Sequence, residues 1–214
     1  MMVDAMNVAE KAAILVDHLS SLPDFVIVDT IDGSYDHMGA TITDAMLQAG
    51  VRYETVVRPR VQRVRQQYPQ ARTTSGFLRI LHEVGPNTVL QWTDAEKPAR
   101  VLGVAVFLHE QGIETEAELA QWLAEPSNIV RLKKLRGIGD KTADYIKILV
   151  GMQTNAVDRH LLGFLREANI TVAGYNEAQQ VIDQAADLRG VDRARFDHSI
   201  WKYMSTRKTK PCGG

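Results

Sequence analysis

Two glycines flank a single apolar residue in Leu135-Arg136-Gly137-Ile138-Gly139-Asp140-Lys141-Thr142-Ala143, between two segments with helical periodicity. No other run constrains the fold as tightly. Gly137 and Gly139 can adopt backbone angles that a side chain would resist, so the run predicts a tight hairpin of two helices. The second helix would begin near Asp140 and leave free amide N–H groups, a seat for a phosphate oxygen. Charge agrees with that reading. Residues 131–147 hold six basic side chains (Arg131, Lys133, Lys134, Arg136, Lys141, Lys147) against Asp140 and Asp144, a balance of +4.

The rest of the chain reads almost entirely as helix, which predicts an all-α fold. Apolar spacing marks helices over 8–22 and 41–47, and a third over 51–67 that Pro59 breaks or kinks. Residues 24–38 read as irregular. Thr73 or Thr74 can cap a helix reaching His82, and Thr93 with Glu96 and Thr115 with Glu118 each fit the capping-box spacing. These boxes predict helices to about Gln111 and Ala124. Pro126 opens the first hairpin helix, ending at Leu135, and the second runs from Asp140 to Gly151. Helices over 159–167, after a cap at Asn176 with Gln179, and over 192–205 complete the pattern, with 206–214 expected to be disordered.

Length and composition limit the function classes. A 214-residue chain that is 45% apolar has material for one compact unit or two small lobes. Its longest apolar stretches are too short to cross a bilayer, and residues 1–7 are acidic where a secretory leader would be basic. Cys212 is the single cysteine, so no intrachain disulfide can form, and a soluble monomer in a reducing cytoplasmic compartment is expected, nucleoid-associated in a bacterium. Six scattered histidines show no zinc-ligand spacing, and no metal or cofactor is expected. The net charge of −1 would argue against a nucleic-acid partner were it uniform. It is not: residues 1–50 carry −7, whereas residues 51–72 carry six arginines and one acid, for +5. One DNA-facing side and one acidic back are implied.

The hairpin run, with Val157-Asp158-Arg159-His160 placed seventeen residues past Lys141, resembles the helix-hairpin-helix DNA glycosylase superfamily, in its endonuclease III-like branch. The resemblance covers roughly residues 36–204 and is strongest over 132–165. It implies that Asp158 is the catalytic carboxylate and that Lys141 marks a member that also cleaves the abasic site. It further implies two helical lobes, residues 39–152 (hairpin 128–151) and residues 1–38 with 153–205, and a cleft into which a base is extruded. Gln48, followed by Arg52 and Tyr53, resembles the lesion-probing loop. Residues 196–201 resemble the segment before that branch's cysteine cluster, but with Cys212 alone an iron-sulfur cluster cannot form within one chain. Two departures stand out: Arg136 replaces a common proline, and the interval from Lys141 to Asp158 is short by a residue or two.

The chemistry suits those residues. Cleaving an N-glycosidic bond builds positive charge on the sugar, and a placed carboxylate stabilises that charge in the transition state. Asp158 is the candidate, Lys141 the candidate nucleophile, and His160 a supporting group. Arg136, Gly137, Ile138, Gly139, Lys133, Lys134 and Thr142 are expected at the DNA, with Gln48, Arg52 and Tyr53. The partner expected is duplex DNA bearing a damaged base or an abasic site. Bland alternatives are open for each: Asp158 as a helix N-cap, Lys141 as a phosphate contact, Gln48 as a helix-end residue. A monofunctional glycosylase and a non-catalytic DNA-binding module are the corresponding rival functions.

Overall fold

The computed structural model describes residues 6–207. Among these, regular structure is helical throughout, as the periodicity predicts. The helices are α1 (Val8–Ser20), α2 (Met38–Leu47), α3 (Arg58–Gln67), α4 (Thr74–Val84), α5 (Pro86–Leu90), α6 (Glu96–Glu110), α7 (Glu116–Leu123), α8 (Pro126–Leu132), α9 (Asp140–Leu149), α10 (Arg159–Glu167), α11 (Tyr175–Leu188) and α12 (Arg193–Thr206). A π-helical turn, Tyr53–Val57, precedes α3, and a 3-10 turn, Pro69–Arg72, follows it. Cys212 and all but the first two residues of the expected disordered tail lie outside the described residues.

Contacts divide the chain into two compact units, Asp32–Met152 and the flanking residues up to Ile31 and from Gln153 onward. The first break falls seven residues earlier than the 38/39 junction suggested by sequence. The reason is local. Ser34 donates its backbone N–H to Leu149 O at 2.7 Å, and Arg58 donates to Asp32 at 2.8 Å, which ties residues 32–37 to the unit that follows.

Within Asp32–Met152, α2 is the axis. Each of its ten residues is buried, and it packs against α3, α4, α6 and α9. Gly39 permits that approach, since a Cβ there would lie 2.8 Å from the Phe77 ring. His37 caps α2 by accepting Ala40 N–H on Nδ1, and burial pulls its pKa below the usual histidine value. In the flanking unit α1 packs on α11, and α12 packs on both α10 and α11. Leu15, Phe164, Val181, Phe196 and Ile200 form its interior.

Several helix starts follow their sequence signals. Thr115 and Glu118 form the expected capping box, and Thr73 caps α4. Two expected caps are corrected. At α6 the Asp94 carboxylate, one residue beyond Thr93, accepts Glu96 N–H at 2.9 Å; a two-residue Asx turn displaces the box. Asn176 lies inside α11, whose N-cap is Gly174; Glu177 instead reaches back to Ala173 N–H at 2.5 Å and to Lys11. The hairpin helices end earlier than expected, at Leu132 and Leu149, because the chain tightens into turns before each glycine.

Candidate functional site

The hairpin turn spans residues 133–139, and its two glycines do different work. Gly137 has φ +92°, the left-handed region that glycine occupies freely. Gly139 is extended (φ −99°) and is the N-cap of α9 with no side chain to cap it, so the first amides of α9 are left for an outside acceptor. A Cβ at Gly137 would also sit 2.8 Å from Arg100 Cδ. Gly137→Val should therefore destabilise the turn by about 1–3 kcal/mol, read as a lowered urea midpoint.

Ile138, expected among the DNA-contacting residues, is 4% exposed and belongs to the core. Its apolar side chain anchors the turn, and its N–H donates to Leu135 O at 3.1 Å, so Ile138 shapes the turn from within. The basic residues are also less free than a count suggests. Lys133 pairs with Asp140, Lys147 with Asp144 at 2.7 Å, and Arg136 with Glu96 at 3.0 Å. Glu96 is shared with Arg100 at 2.5 Å. Lys134 is exposed, and Thr142 lies half-buried in the first turn of α9.

Lys141, on that same turn, donates from Nζ to Gln48 Oε1 at 3.2 Å. Gln48 is the C-cap of α2, so the two residues singled out ninety-three positions apart meet directly. The other end of the amide is unusual. Gln48 Nε2 is buried without a hydrogen-bond partner, a donor whose desolvation costs about 1–3 kcal/mol unless an acceptor arrives.

A lysine that the sequence did not point to holds this turn. Lys97 Nζ, in the first turn of α6, donates to the carbonyls of Leu47 and Ala49, each at 2.6 Å, on either side of Gln48. Its ammonium lies over the Trp92 ring at 4.8 Å, and burial lowers its pKa. Arg52 is exposed at the start of the π-helical turn. Tyr53 turns inward instead, its hydroxyl donating to the buried Asp44 at 2.9 Å.

Asp158 belongs to the flanking unit. It is the N-cap of α10, and its Oδ1 accepts the backbone N–H of His160 at 2.7 Å and of Leu161 at 3.1 Å. The loop leading to it is anchored at several points. Asn155 Nδ2 donates to Gln179 O at 3.1 Å and to Asp183 at 2.8 Å, and Ala156 N–H donates to Asp197 at 2.6 Å. His160 packs edge-on against Trp201, with ring centres 6.3 Å apart. Among the described residues no group of three or more His, Cys, Asp or Glu side chains could hold a metal ion. No described helix is long and apolar enough to cross a membrane.

The fold is similar to that of the H. pylori 3-methyladenine DNA glycosylase MagIII, solved with bound 1,N6-ethenoadenine. The match has a TM-score of 0.62 at 16% identity and covers 94% of this chain and 98% of that one. At that identity the likeness is one of fold. Residues 13–205 match the family model described as Domain of unknown function (DUF8548), and the chain belongs to that family.

Proposed function

We propose that this protein is a DNA base-excision repair glycosylase acting on duplex DNA with a damaged or mismatched base. The observation that carries the reading is the Lys141–Gln48 pair at the open N-terminus of α9, with Gln48 Nε2 buried and unpartnered. A structural helix junction has no use for a stranded amide donor; a surface that receives a nucleotide acceptor does. The likeness in fold to a 3-methyladenine DNA glycosylase supports the same direction and puts alkylated and etheno-modified purines first among bases to try.

In this reading the bond between base and sugar C1′ breaks, and the base leaves with the electron pair. The Asp158 carboxylate offsets the positive charge that grows on the sugar. Gln48 occupies the space the base vacates, and Arg52, Lys133, Lys134, Arg136 and Thr142 contact the backbone, with Gly137 and Gly139 admitting a phosphate to the uncapped first amides of α9 and Ile138 holding the turn that presents them. Lys141 is proposed as the nucleophile: its Nζ bonds to C1′ as the base leaves, the C1′–O4′ bond then opens with O4′ taking a proton to give the Schiff base, and loss of a C2′ proton expels the 3′ phosphate and cleaves the strand. His160 supports the Asp158 loop.

The test is base release from oligonucleotides carrying single modified purines, modified pyrimidines, uracil or mismatched thymine, followed by borohydride trapping at an abasic site. Borohydride reduces the iminium to a stable amine, so an adduct that disappears in Lys141→Ala identifies the nucleophile. Base release without any adduct would leave a monofunctional enzyme in which water attacks. DNA binding with neither base release nor adduct would reduce the protein to a binding module and overturn the reading.

A further inference from the structure

Asp44 is fully buried on α2, and all three side chains that hydrogen-bond its carboxylate are phenols. Tyr35 donates to Oδ2 at 2.5 Å, Tyr53 to the same oxygen at 2.9 Å, and Tyr145 to Oδ1 at 3.0 Å. The salt bridges of the described residues do not include it. Burying a carboxylate without a cation is costly, and apolar residues of similar volume would hold α2 and α9 together more cheaply. Such a group is kept for something other than stability.

Its place in the chain indicates what. Asp44 lies four residues, one helical turn, before Gln48 on α2, and Tyr145 lies one turn after Lys141 on α9. The two helices are thus joined by successive polar rungs, Asp44–Tyr145 and Gln48–Lys141. Tyr53 lies five residues beyond Gln48, so the same carboxylate also grips the far side of the turn that carries it.

We propose that Asp44, with Tyr35, Tyr53 and Tyr145, is a positioning device that sets Gln48 and Lys141 against each other for engagement of the nucleotide. This inference rests on the glycosylase reading for its purpose, though not for its geometry. Losing the carboxylate leaves α2 and α9 packed by their apolar faces but releases the register of the upper rung. The groups facing Asp44 are Tyr35 and Asp32 from the segment before α2, Tyr53 after it, and Tyr145 from α9. Arg65 covers the Tyr35 ring at 5.3 Å, while Arg58 covers that of Tyr53 at 5.6 Å and pairs with Asp32.

Burial pushes the Asp44 pKa up to about 6, against the pull of its three phenol hydrogen bonds. A carboxyl raised in the fold binds its proton more tightly there than in the unfolded chain. The stability this brings is full below the unfolded carboxylate range and is lost as pH rises through about 6. Asp44→Asn, which keeps the shape and drops the charge, should therefore flatten that part of the melting-temperature profile.

The experiment compares the full chain with Asp44→Asn and Tyr145→Phe. Lysines are reductively methylated with 13C formaldehyde, and the Lys141 signal is assigned by its absence in Lys141→Arg. The expected result has three parts: a pH-dependent shift of the Lys141 signal through the Asp44 titration, its absence in Asp44→Asn, and a displaced signal in Tyr145→Phe. Single-turnover base release should fall about tenfold in both variants, while Asp44→Asn melts no lower than the native chain at pH 8. A Lys141 signal unmoved by either substitution overturns the proposal, as does base release within twofold of native. If Asp44→Asn fails to fold, Tyr145→Phe gives the same reading. If the native chain releases no base, the glycosylase reading fails by itself and the Lys141 signal alone decides this one.

Discussion

Asp158→Asn should slow base release on the order of 10²–10³-fold while costing under about 1 kcal/mol of stability. The two effects separate because Asp158 does two jobs. Its Oδ1 caps α10 through the N–H groups of His160 and Leu161. Asparagine caps a helix as well as aspartate does, so the fold should barely notice the exchange. A neutral amide, however, offers no charge to a sugar becoming cationic. Asp158→Ala removes both and should add about 1 kcal/mol of destabilisation to the catalytic loss. Single-turnover base release and urea unfolding, run on both variants, check the pair. An asparagine variant that releases base at the native rate would make Asp158 a cap and nothing more.

Phe164→Ala should destabilise the protein by about 3–5 kcal/mol, measured as a drop in unfolding free energy. Phe164 is fully buried on α10, two turns from Asp158. Its ring meets those of His18 from α1 at 5.4 Å, Phe25 at 5.8 Å and Tyr203 from α12 at 5.9 Å. Three different segments lean on one side chain, so the void it leaves has no single neighbour able to close it. That puts the expected cost toward the upper end of the range. A loss below about 1 kcal/mol would mean that α1 collapses onto α10 and that this part of the core is plastic.

Local signals in the sequence translated well because local physics decides them. Arg159–Glu167 has its apolar stripe and an aspartate before it, and the structure has that helix and that cap. The Thr115 box forms as its spacing predicts, whereas Thr93 loses its helix start to the neighbouring Asp94. The hairpin was legible as a turn, but not the burial of Ile138, since an apolar residue between glycines looks the same whether it faces DNA or core.

The residues that organise the candidate site were illegible for a different reason. Tyr35, Asp44, Tyr53 and Tyr145 are brought together by α2 and α9 packing, and no spacing rule joins position 44 to position 145. Tyr145 packs against the core of its unit, yet helical register says nothing of what its hydroxyl bonds. Lys97 carries no sequence signal beyond a place just after a capping residue. Only the fold reveals the two carbonyls at its tip.

The start of α6 serves both halves of the candidate site. Within five residues the start of α6 carries Lys97, which grips the turn bearing Gln48, and Glu96 and Arg100, which brace Arg136 and Gly137 of the hairpin. The two elements proposed to touch DNA are distant in sequence but share one mounting. Neither can be retuned alone through α6: a change there that shifts the hairpin also shifts the glutamine. Diversification of base preference in relatives of this chain should therefore concentrate away from α6, and paired changes should accompany any substitution within its first turn.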